Sequence, residues 1–435
     1  MDFRGQKLIL LSGDVILMYV SLFLVLMVRF GENFDEGVVY QHLPAFTFLY
    51  LIWFVIFYVF DAYELSSRVS LKRVSQFSVA LVVAFLVGVL YFYTISFSSI
   101  SPKVILLFHV LVFGILSLIW RRVFFSNMAR IAPLVIGVVG SHKEVDELQS
   151  MIRDRTHLGH VCVPLRSAEH LSFHIQEQKL NMVVLPSVNL SDPVGAQQVY
   201  ACLGKGVIFL DTAQAYELFA KRIPLSTVDH RWFLRNIQEK DASLYQHVKR
   251  FFDVSVSLFL LGLTAPLWLV LVTAIKFSDG GSVFYTQERM GKNGKLFSII
   301  KFRTMWVDAE SNGPAWATKQ DARVTAVGRI LRKTHLDELP QLLNVLRGDL
   351  SLVGPRPERP VFVDLLEAEI PYYHVRHFIK PGITGWAQIK FRYARSVVDS
   401  QMKFEYDLYY IKNRSFLFDI LILLKTTHFF LRGES

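Results

Sequence analysis

Four long apolar runs open the chain, separated by short polar stretches. They extend over Leu8 to Phe30, Pro44 to Phe60, Val74 to Ile95 and Val104 to Trp120. Each run is close to the roughly 20 residues that an α-helix needs to cross a bilayer. The pattern predicts four transmembrane helices in a domain of residues 1–125. A secretory signal peptide is a weak alternative for the first run, which is too long, contains Asp14 and lacks an A-x-A-like cleavage site.

Basic residues around these runs predict their orientation. They lie before the first run, between the second and third, and after the fourth: Arg4, Lys7, Arg68, Lys72, Arg73, Arg121, Arg122 and Arg130. The loop GENFDEGVVYQH contains no Lys or Arg, and the remaining loop contains only Lys103. By the positive-inside rule the basic sides face the cytosol, so the chain after Arg130 begins there. For Asp14 and His109, within or at the edge of the runs, we expect helix-to-helix hydrogen bonds.

Residues 131–230 alternate short apolar runs with polar helical stretches, as in PLVIGVVG, KEVDELQSMI, NMVVLPS and GKGVIFLDT. This alternation predicts a small Rossmann-like α/β domain with a parallel sheet. The segment GVVGSH lacks the GxGxxG spacing that lets the backbone approach a pyrophosphate. A structural or regulatory role is therefore favoured over a dinucleotide site, and no ligand is predicted for this domain.

A fifth apolar run, over residues 249–277, is long enough to cross the membrane again. Basic residues lie on both sides of it, beginning with Lys249 and Lys276, so the positive-inside rule keeps both ends in the cytosol. Pro266 lies mid-run, where it kinks a helix and disfavours helical geometry at Ala265. We predict a reentrant helix that breaks at Ala265 and Pro266 and returns to the same side. An ordinary fifth span with a proline kink is the alternative.

Composition agrees with a membrane protein that handles anions. The chain has 435 residues, 52% of them hydrophobic with 36 Phe, and a net charge of +10. Such a charge suits anionic lipids, anionic substrates or nucleic acid. Nucleic acid is not expected, because no basic motif with interleaved aromatic residues appears. Cys162 and Cys202 have no CxxC spacing and predict neither a disulfide framework nor a zinc site.

The C-terminal region, residues 245–435, contains the candidate chemistry. GSVFYTQERMGKNGKLFSIIKFRTM predicts two strands joined around Asn293 and Gly294. Gln287, Arg289, Lys301 and Arg303 would then cluster at the strand ends. Further arginines and lysines extend this into a basic patch suited to diphosphates: Arg323, Arg329, Arg332, Lys333, Arg347, Arg356 and Arg359.

Two adjacent carboxylates, Asp337 and Glu338, precede a leucine pattern of helical spacing in THLDELPQLLNVLRGD. Pro340 predicts that the helix begins near Asp337, which places both carboxylates at its positive end. One could attack phosphorus while the other positions, with Mg²⁺ as the expected metal. The alternative is a helix N-cap followed by a surface glutamate. The following GPRP segment stiffens a loop around Arg356 for phosphate, with an exposed turn as its alternative.

Taken in order, KFRTM, DAE, LRKTHLDELPQLLNVLRGDLSLVGPRP, KPGITGWAQ and YDLYYIKN resemble the bacterial sugar transferases, the monotopic phosphoglycosyl transferases. The resemblance covers about Tyr245 to Phe430. With four preceding spans and an α/β domain, the chain resembles the large polyprenyl-phosphate hexose-1-phosphate transferases of exopolysaccharide biosynthesis. This implies transfer of a hexose 1-phosphate from a UDP-sugar to undecaprenyl phosphate, with release of UMP, at the cytoplasmic face of the bacterial inner membrane. Taken singly, KPGITGWAQ and YDLYYIKN are more often segments that pack in a protein core than segments that bind a ligand.

The resemblance also implies roles for individual residues. Asp337 matches the nucleophile that forms a covalent phosphosugar intermediate, Glu338 completes the acidic pair, and Mg²⁺ binds at both. Arg332, Arg356, Lys301 and Arg303 match phosphate-binding positions, and Ala265 with Pro266 match the membrane helix break. The family implies membrane lipids as partners, and a homodimer through the middle region is compatible with the sequence. The hexose is not specified by any residue.

Two other functions were weighed against this one. A membrane-tethered nucleotide-sugar oxidoreductase or dehydratase would use the middle domain, but it needs GxGxxG and a Tyr-xxx-Lys pair, and neither is present around Tyr200 or Tyr216. A catalytically inactive scaffold or regulator of polysaccharide assembly is the second alternative. An altered acidic pair would favour it, but both carboxylates are present.

Overall fold

The computed structural model describes residues 3–63, 71–94, 103–131, 133–140, 142–154, 159–186, 193–237, 243–307, 323–391 and 396–431. The DAE segment, residues 308–310, lies outside this part of the chain. The chain divides into two compact units, Met1–Ala215 and Tyr216–Ser435. The predicted domain limits at residues 125, 131, 230 and 245 stay predictions.

The first unit begins with four long helices. They are α1 (Phe3–Phe30), α2 (Glu36–Val59), α3 (Leu71–Thr94) and α4 (Lys103–Ile131). With a later helix in the second unit, five helices of the described chain are long and apolar enough to cross a membrane. Helix α2 begins before its apolar run because Asp35 caps it, accepting a hydrogen bond from the backbone N–H of Val38 at 2.8 Å.

Two buried polar clusters join these helices to one another. The Asp14 carboxylate on α1 accepts from Arg121 Nη2 on α4 at 2.8 Å. The His109 ring lies between the hydroxyl groups of Ser21 and Tyr50, each at 3.0 Å. Unpartnered polar groups are costly in hydrocarbon, so these contacts satisfy them between helices. The prediction of helix-to-helix hydrogen bonds at Asp14 and His109 is confirmed.

The rest of the first unit contains a small four-stranded parallel sheet, which confirms that prediction. Its strands are β1 (Leu134–Val139), β2 (His160–Leu165), β3 (Met182–Leu185) and β4 (Ile208–Asp211), in the order β2-β1-β3-β4. The connecting helices are α5 (Lys143–Arg153), α6 (Leu171–Glu177) and α7 (Pro193–Tyr200), and α8 (Thr212–Phe219) follows β4. Both cysteines are free thiols: Cys202 is buried and Cys162 is half-buried.

The second unit contains the fifth apolar helix. After α9 (His230–Asn236), helix α10 extends over Ser243–Asp279, 37 residues in all. It continues without interruption through Ala265 and Pro266, although Pro266 provides no N–H for the helical ladder. The predicted break is therefore not the end of a helix. In the most apolar 18-residue part of α10, only 11% of the residues are buried. Most of its apolar surface is therefore available to lipid.

The remaining elements of the second unit surround one core. They are β5 (Phe284–Met290), β6 (Leu296–Phe302), α11 (Ala326–Thr334), α12 (Gln341–Arg347), β7 (Ser351–Val353), α13 (Pro360–Glu369), β8 (Gly382–Thr384), α14 (Trp386–Lys390), α15 (Val397–Asn413) and α16 (Phe416–Leu431). Strands β5 and β6 form the predicted antiparallel hairpin, with Asn293 at a φ of 55° in the turn. The core includes Val345, Leu352, Phe404 and Leu408, which are almost fully buried.

Candidate active site

The two adjacent carboxylates lie in a turn between two helices. Helix α11 ends at Thr334, and the next residue, His335, has a left-handed φ of 54°. A 3-10 turn follows over Leu336–Glu338, and α12 starts only at Gln341. The prediction that this helix begins near Asp337 was wrong, because Pro340 precedes α12 instead of lying inside its first turn. The carboxylates are therefore held by the turn and its tertiary contacts.

Glu338 joins two of the predicted phosphate-binding residues. Its Oε1 atom accepts from Lys301 Nζ at 2.9 Å and from Arg356 Nη2 at 2.9 Å. Burial alone would raise the pKa of Glu338, but Arg356 and Lys301 outweigh it and hold that pKa well below its usual range. Glu338 is thus ionised and orients both cations beside Asp337.

Asp337 has a different environment from its neighbour. It is 8% exposed, and within the described chain its carboxylate has no hydrogen bond or ion pair. Burial, and then the charge of Glu338, raise the pKa of Asp337 to about 6, against the lowering effect of Lys301, Arg332 and Arg356. A carboxylate without a partner in a cationic cavity is available to attack an electrophile.

Arg332 is positioned by close packing of α11 on the end of β6. Its Nε atom donates to the Thr304 hydroxyl at 2.9 Å. A Cβ on Gly328 would lie 2.0 Å from the carbonyl oxygen of Thr304, so no residue with a side chain fits there without movement. Thr325 caps the helix, accepting from the Gly328 N–H at 2.9 Å. The KFRTM strand and α11 therefore fix Arg332 together.

The proline loop is held by its own backbone. The N–H of Gly354 donates to the Thr384 carbonyl, and the N–H of Gly382 donates to the Pro355 carbonyl, both at 2.9 Å. A Cβ on Gly354 would lie 2.5 Å from the carbonyl oxygen of Lys380. These close contacts leave the loop little freedom, so the Arg356 guanidinium is preorganised next to Glu338.

Two residues that the sequence analysis did not identify support this loop. Arg376 donates from Nη2 to the carbonyl oxygen of Arg356 and to the Asp407 carboxylate, both at 3.0 Å. Both side chains are almost fully buried. Burial raises the pKa of Asp407 to about 6, although Arg376 opposes that rise. Nothing local marks this pair, because Arg376 and Asp407 meet only through the fold.

A single cavity of about 590 Å³ collects these groups. All six polar residues named from the sequence line it: Lys301, Arg303, Arg332, Asp337, Glu338 and Arg356. Gln287, Arg289, Arg323 and Arg359 from the predicted basic patch line it too, whereas Arg329, Lys333 and Arg347 do not. The sequence analysis missed other lining residues, among them Tyr285, Trp306, Glu358, Ser400 and Lys403.

The KPGITGWAQ and YDLYYIKN motifs mostly pack. Strand β8 pairs in parallel with β7, and Trp386 and Tyr410 belong to the core. Trp386 Nε1 donates to the carbonyl oxygen of Lys221 at 2.9 Å. The packing interpretation of these motifs is therefore confirmed at these positions.

The donor set of the cavity suits Mg²⁺ only together with a substrate. Among the described residues, no group of three or more His, Cys, Asp and Glu side chains comes together as a metal site. Asp337 and Glu338 provide two carboxylates, and Mg²⁺ characteristically takes one or two carboxylates plus substrate phosphates and water. The residues present fit this kind of site.

Comparison with known proteins gives a family for the second unit. The profile of the bacterial sugar transferases matches residues 244–433. An Aeromonas hydrophila UDP-N-acetylgalactosamine-undecaprenyl-phosphate N-acetylgalactosaminephosphotransferase is 45% identical over 190 residues, covering 44% of this chain and 45% of that protein. The UDP-glucose:undecaprenyl-phosphate glucose-1-phosphate transferase of Escherichia coli (strain K12) is 41% identical over 181 residues, covering 41% of this chain and 39% of that protein.

A shorter relative is matched over most of its length. The exopolysaccharide production protein ExoY of Sinorhizobium fredii (strain NBRC 101917 / NGR234) is 40% identical over 193 residues, covering 41% of this chain and 83% of that protein. The family profile extends over the turn with Asp337 and Glu338 and over the proline loop with Arg356. The chain belongs to the bacterial sugar transferase family.

Proposed function

We propose that this membrane protein transfers a hexose 1-phosphate from a UDP-sugar to undecaprenyl phosphate. The products are undecaprenyl-diphosphate-sugar and UMP. The observation that carries the proposal is the Asp337 carboxylate, which is buried and without a partner in the described chain, in a cavity lined by Lys301, Arg303, Arg332 and Arg356. The reactions named for the relatives from Aeromonas hydrophila and Escherichia coli support the same class of transfer.

The first displacement forms a covalent intermediate on Asp337. A carboxylate oxygen of Asp337 attacks the phosphorus that bears the sugar, and the bond from this phosphorus to the UMP oxygen breaks. UMP leaves with the electron pair, and the sugar phosphate remains as an acyl phosphate. No proton is transferred in this step, so Asp337 must be ionised before the attack.

The second displacement releases the product. An oxygen of undecaprenyl phosphate attacks the same phosphorus, and the bond to the Asp337 oxygen breaks. The carboxylate is regenerated, and the new diphosphate joins lipid and sugar. Two anions meet in each step, so the cations around the cavity lower the barrier by neutralising charge on the phosphates.

The remaining residues of the site prepare these steps. Glu338 holds Lys301 and Arg356 at 2.9 Å each, and Arg332 is fixed through Thr304. Asp337 and Glu338 would hold Mg²⁺ with the substrate diphosphate. When bound, Mg²⁺ supplies positive charge to the phosphate oxygens.

Helix α10 places this chemistry at the membrane. Near its N-terminal end, Arg250 Nη2 donates to the Leu346 carbonyl at 2.7 Å. Near its C-terminal end, Leu271 and Ile275 pack on a cluster that includes Phe302. A helix that crossed a bilayer would have its ends on opposite sides, but both ends of α10 contact the same unit. These contacts support a reentrant helix that bends near Pro266 when inserted.

The position of the basic residues supports a cytoplasmic active site. The N-terminal helices have basic flanks mainly on one side, and both flanks of α10 are basic, as expected for segments inside the cell. We therefore place the second unit at the cytoplasmic face of the bacterial inner membrane, where UDP-sugars are present. The name of the Sinorhizobium fredii relative supports a role in exopolysaccharide production.

Intact mass measurement tests the proposal directly. Purified protein is incubated with Mg²⁺ and a panel of UDP-sugars without a lipid acceptor, and the products are mapped by peptide analysis. A sugar-phosphate adduct on the peptide that contains Asp337 is expected for the correct donor, and undecaprenyl phosphate should remove it. If no sugar gives an adduct and added undecaprenyl phosphate releases no UMP, the proposal fails and the inactive-scaffold alternative replaces it.

A further inference from the structure

A second cavity in the second unit lies where helix α10 begins its apolar stretch. Its volume is about 270 Å³, and it shares no lining residue with the active-site cavity. Its charged lining is five cations and one carboxylate: Lys249, Arg250, Lys292, Lys380, Arg414 and Asp253. One carboxylate cannot balance the charge of five cations, so the cavity has an excess of positive charge.

Three of the five cations have no side-chain hydrogen bond or ion pair to another described residue. Lys249 pairs with Asp419 at 2.7 Å, and Arg250 donates to the carbonyl groups at the end of α12. The side chains of Lys292, Lys380 and Arg414 make no hydrogen bond or ion pair within the described ranges. The one carboxylate in the lining, Asp253, accepts a hydrogen bond from the Ser351 hydroxyl at 2.8 Å.

The cations also crowd one another. A Cβ on Gly348 would lie 3.6 Å from Lys380 Nζ and 3.7 Å from Arg250 Nη2, so both cationic groups reach the same small region. Burial lowers the pKa of Lys380, and the charges of Arg250 and Lys292 lower it further, against the raising effect of Asp253 and Asp349. Like charges held together in a half-buried cavity are stabilised by an anion placed between them.

The cavity adjoins the exposed apolar part of α10. Lys249 and Arg250 line it, and the next residue, Phe251, is 76% exposed on the apolar helix. Basic groups immediately next to a membrane-inserted segment attract anionic lipid headgroups. A phosphate attached to a lipid reaches this position with its chain in the bilayer.

The cavity is separate from the active site. Glu338 precedes α12 and Gly348 follows it, so the two cavities lie at opposite ends of this helix. This helix has 7 residues, so at a rise of 1.5 Å per residue it separates them by on the order of 10 Å. A phosphate in the second cavity therefore does not occupy the place of the reacting phosphate beside Asp337.

We propose that this cavity binds the phosphate of an anionic lipid and so anchors α10 at the bilayer surface. The phosphate is either the diester of a phospholipid or the monoester of a polyprenyl phosphate waiting outside the active site. Lys292, Lys380 and Arg414 provide the free charge, and Arg250 provides a guanidinium beside them. This inference does not depend on the proposed transfer reaction, because it concerns binding alone.

Native mass spectrometry of the delipidated full chain in detergent tests the site. The probes are phosphatidylglycerol, undecaprenyl phosphate and, as a neutral reference, phosphatidylcholine. The variant is Lys292→Gln with Lys380→Gln, and the matched control is Lys295→Gln, an exposed lysine on the same hairpin outside the cavity. At about 1 kcal/mol per cation near a lipid surface, the double variant should weaken binding on the order of 30-fold. Lys380→Arg keeps the charge and should bind as the parent does.

The two anionic lipids separate the sources. If the double variant binds phosphatidylglycerol more weakly and binds undecaprenyl phosphate as the parent does, the cavity is assigned to a phospholipid. Weaker binding of undecaprenyl phosphate with unchanged phosphatidylglycerol binding assigns it to the acceptor lipid. If both lipids bind the double variant as they bind the parent, or if Lys295→Gln weakens binding equally, the proposal is overturned. Loss of lipid binding with normal adduct formation on Asp337 would show that the first displacement does not depend on this cavity.

Discussion

Arg376 reaches the active site without lining its cavity. Its Nη2 atom donates to the carbonyl oxygen of Arg356 and to the Asp407 carboxylate, each at 3.0 Å. The buried pair thus fixes the backbone of the residue that contacts Glu338. A guanidinium that must meet a phosphate in one geometry depends on such support, since small displacements in an active site are costly.

Arg376→Lys should lower the rate of adduct formation on the order of 100-fold, because a lysine cannot hold both Arg356 and Asp407. Adduct formation is followed by quenched-flow mass analysis, and thermal unfolding is measured beside it. Arg222→Lys is the matched control, since Arg222 makes a buried pair with Glu405 at 3.0 Å away from the cavity. An equal rate loss in both variants would show a general loss of stability.

Asp337→Asn should reduce transfer by at least about 1000-fold and remove the covalent adduct, because an amide does not attack phosphorus. UMP release and intact mass are the two measurements. Asp364→Asn, at an exposed position on α13, should leave both unchanged. Full transfer activity in Asp337→Asn would rule out Asp337 as the nucleophile.

The rate should depend on pH through Asp337. Its pKa is about 6 and the ionised form attacks, so kcat/KM should fall as the pH drops below about 6. The charge of Glu338 raises the pKa of Asp337, whereas Lys301 and Arg356 lower it. In Glu338→Gln the raising charge is gone, so the acidic limb should move to lower pH even though the maximal rate decreases. An unmoved limb would show that another group titrates.

Gly328→Ala should destabilise the second unit by about 1–3 kcal/mol, because the new Cβ would lie 2.0 Å from the Thr304 carbonyl oxygen. The shift should also displace Arg332 from Thr304 and slow adduct formation. Thermal unfolding in detergent and the adduct rate measure the two effects. Gly262→Ala, on α10 with no atom within 4 Å of its Cβ position, is the control and should not destabilise the protein. Equal stability of the two variants would contradict the close packing at Gly328.

Both ends of α10 should face the cytoplasm. Leu244→Cys and Phe277→Cys, at positions 75% and 87% exposed, provide labelling sites in a variant without Cys162 and Cys202. An impermeant thiol reagent added outside spheroplasts should label neither site, and both should react after lysis. Glu32→Cys, in the acidic loop after α1, should react from outside. Labelling of only one end of α10 from outside would establish a crossing helix.

Much of this architecture follows from local pattern. The apolar runs predict the long helices, because bilayer thickness and the helical rise together demand about 20 apolar residues. Alternation and turn residues predict the β5–β6 hairpin around Asn293, where the structure places a left-handed residue. The six polar site residues were identified by their match to family motifs, because charge and spacing alone gave a larger basic patch, of which Arg329, Lys333 and Arg347 do not line the cavity.

The features that the sequence did not predict depend on tertiary contacts instead of local pattern. The start of α12 was placed near Asp337, but the chain first forms a separate 3-10 turn before Pro340. Lys403 and Ser400 line the cavity from α15, yet nothing in their neighbourhood distinguishes them from other polar residues of an amphipathic helix. A local window contains no information about which distant segment will face a given side chain.

The sequence by itself determined the long apolar helices, the parallel sheet and the hairpin, because each depends on properties of neighbouring residues, and resemblance to a family singled out the charged residues of the candidate site. Only the tertiary structure decided that Asp337 stays without a partner while Glu338 holds Lys301 and Arg356. Two carboxylates at adjacent positions acquire opposite pKa shifts. The reason is that burial and the charges of distant segments, brought within hydrogen-bond distance by folding, set the free energy of each ionised carboxylate.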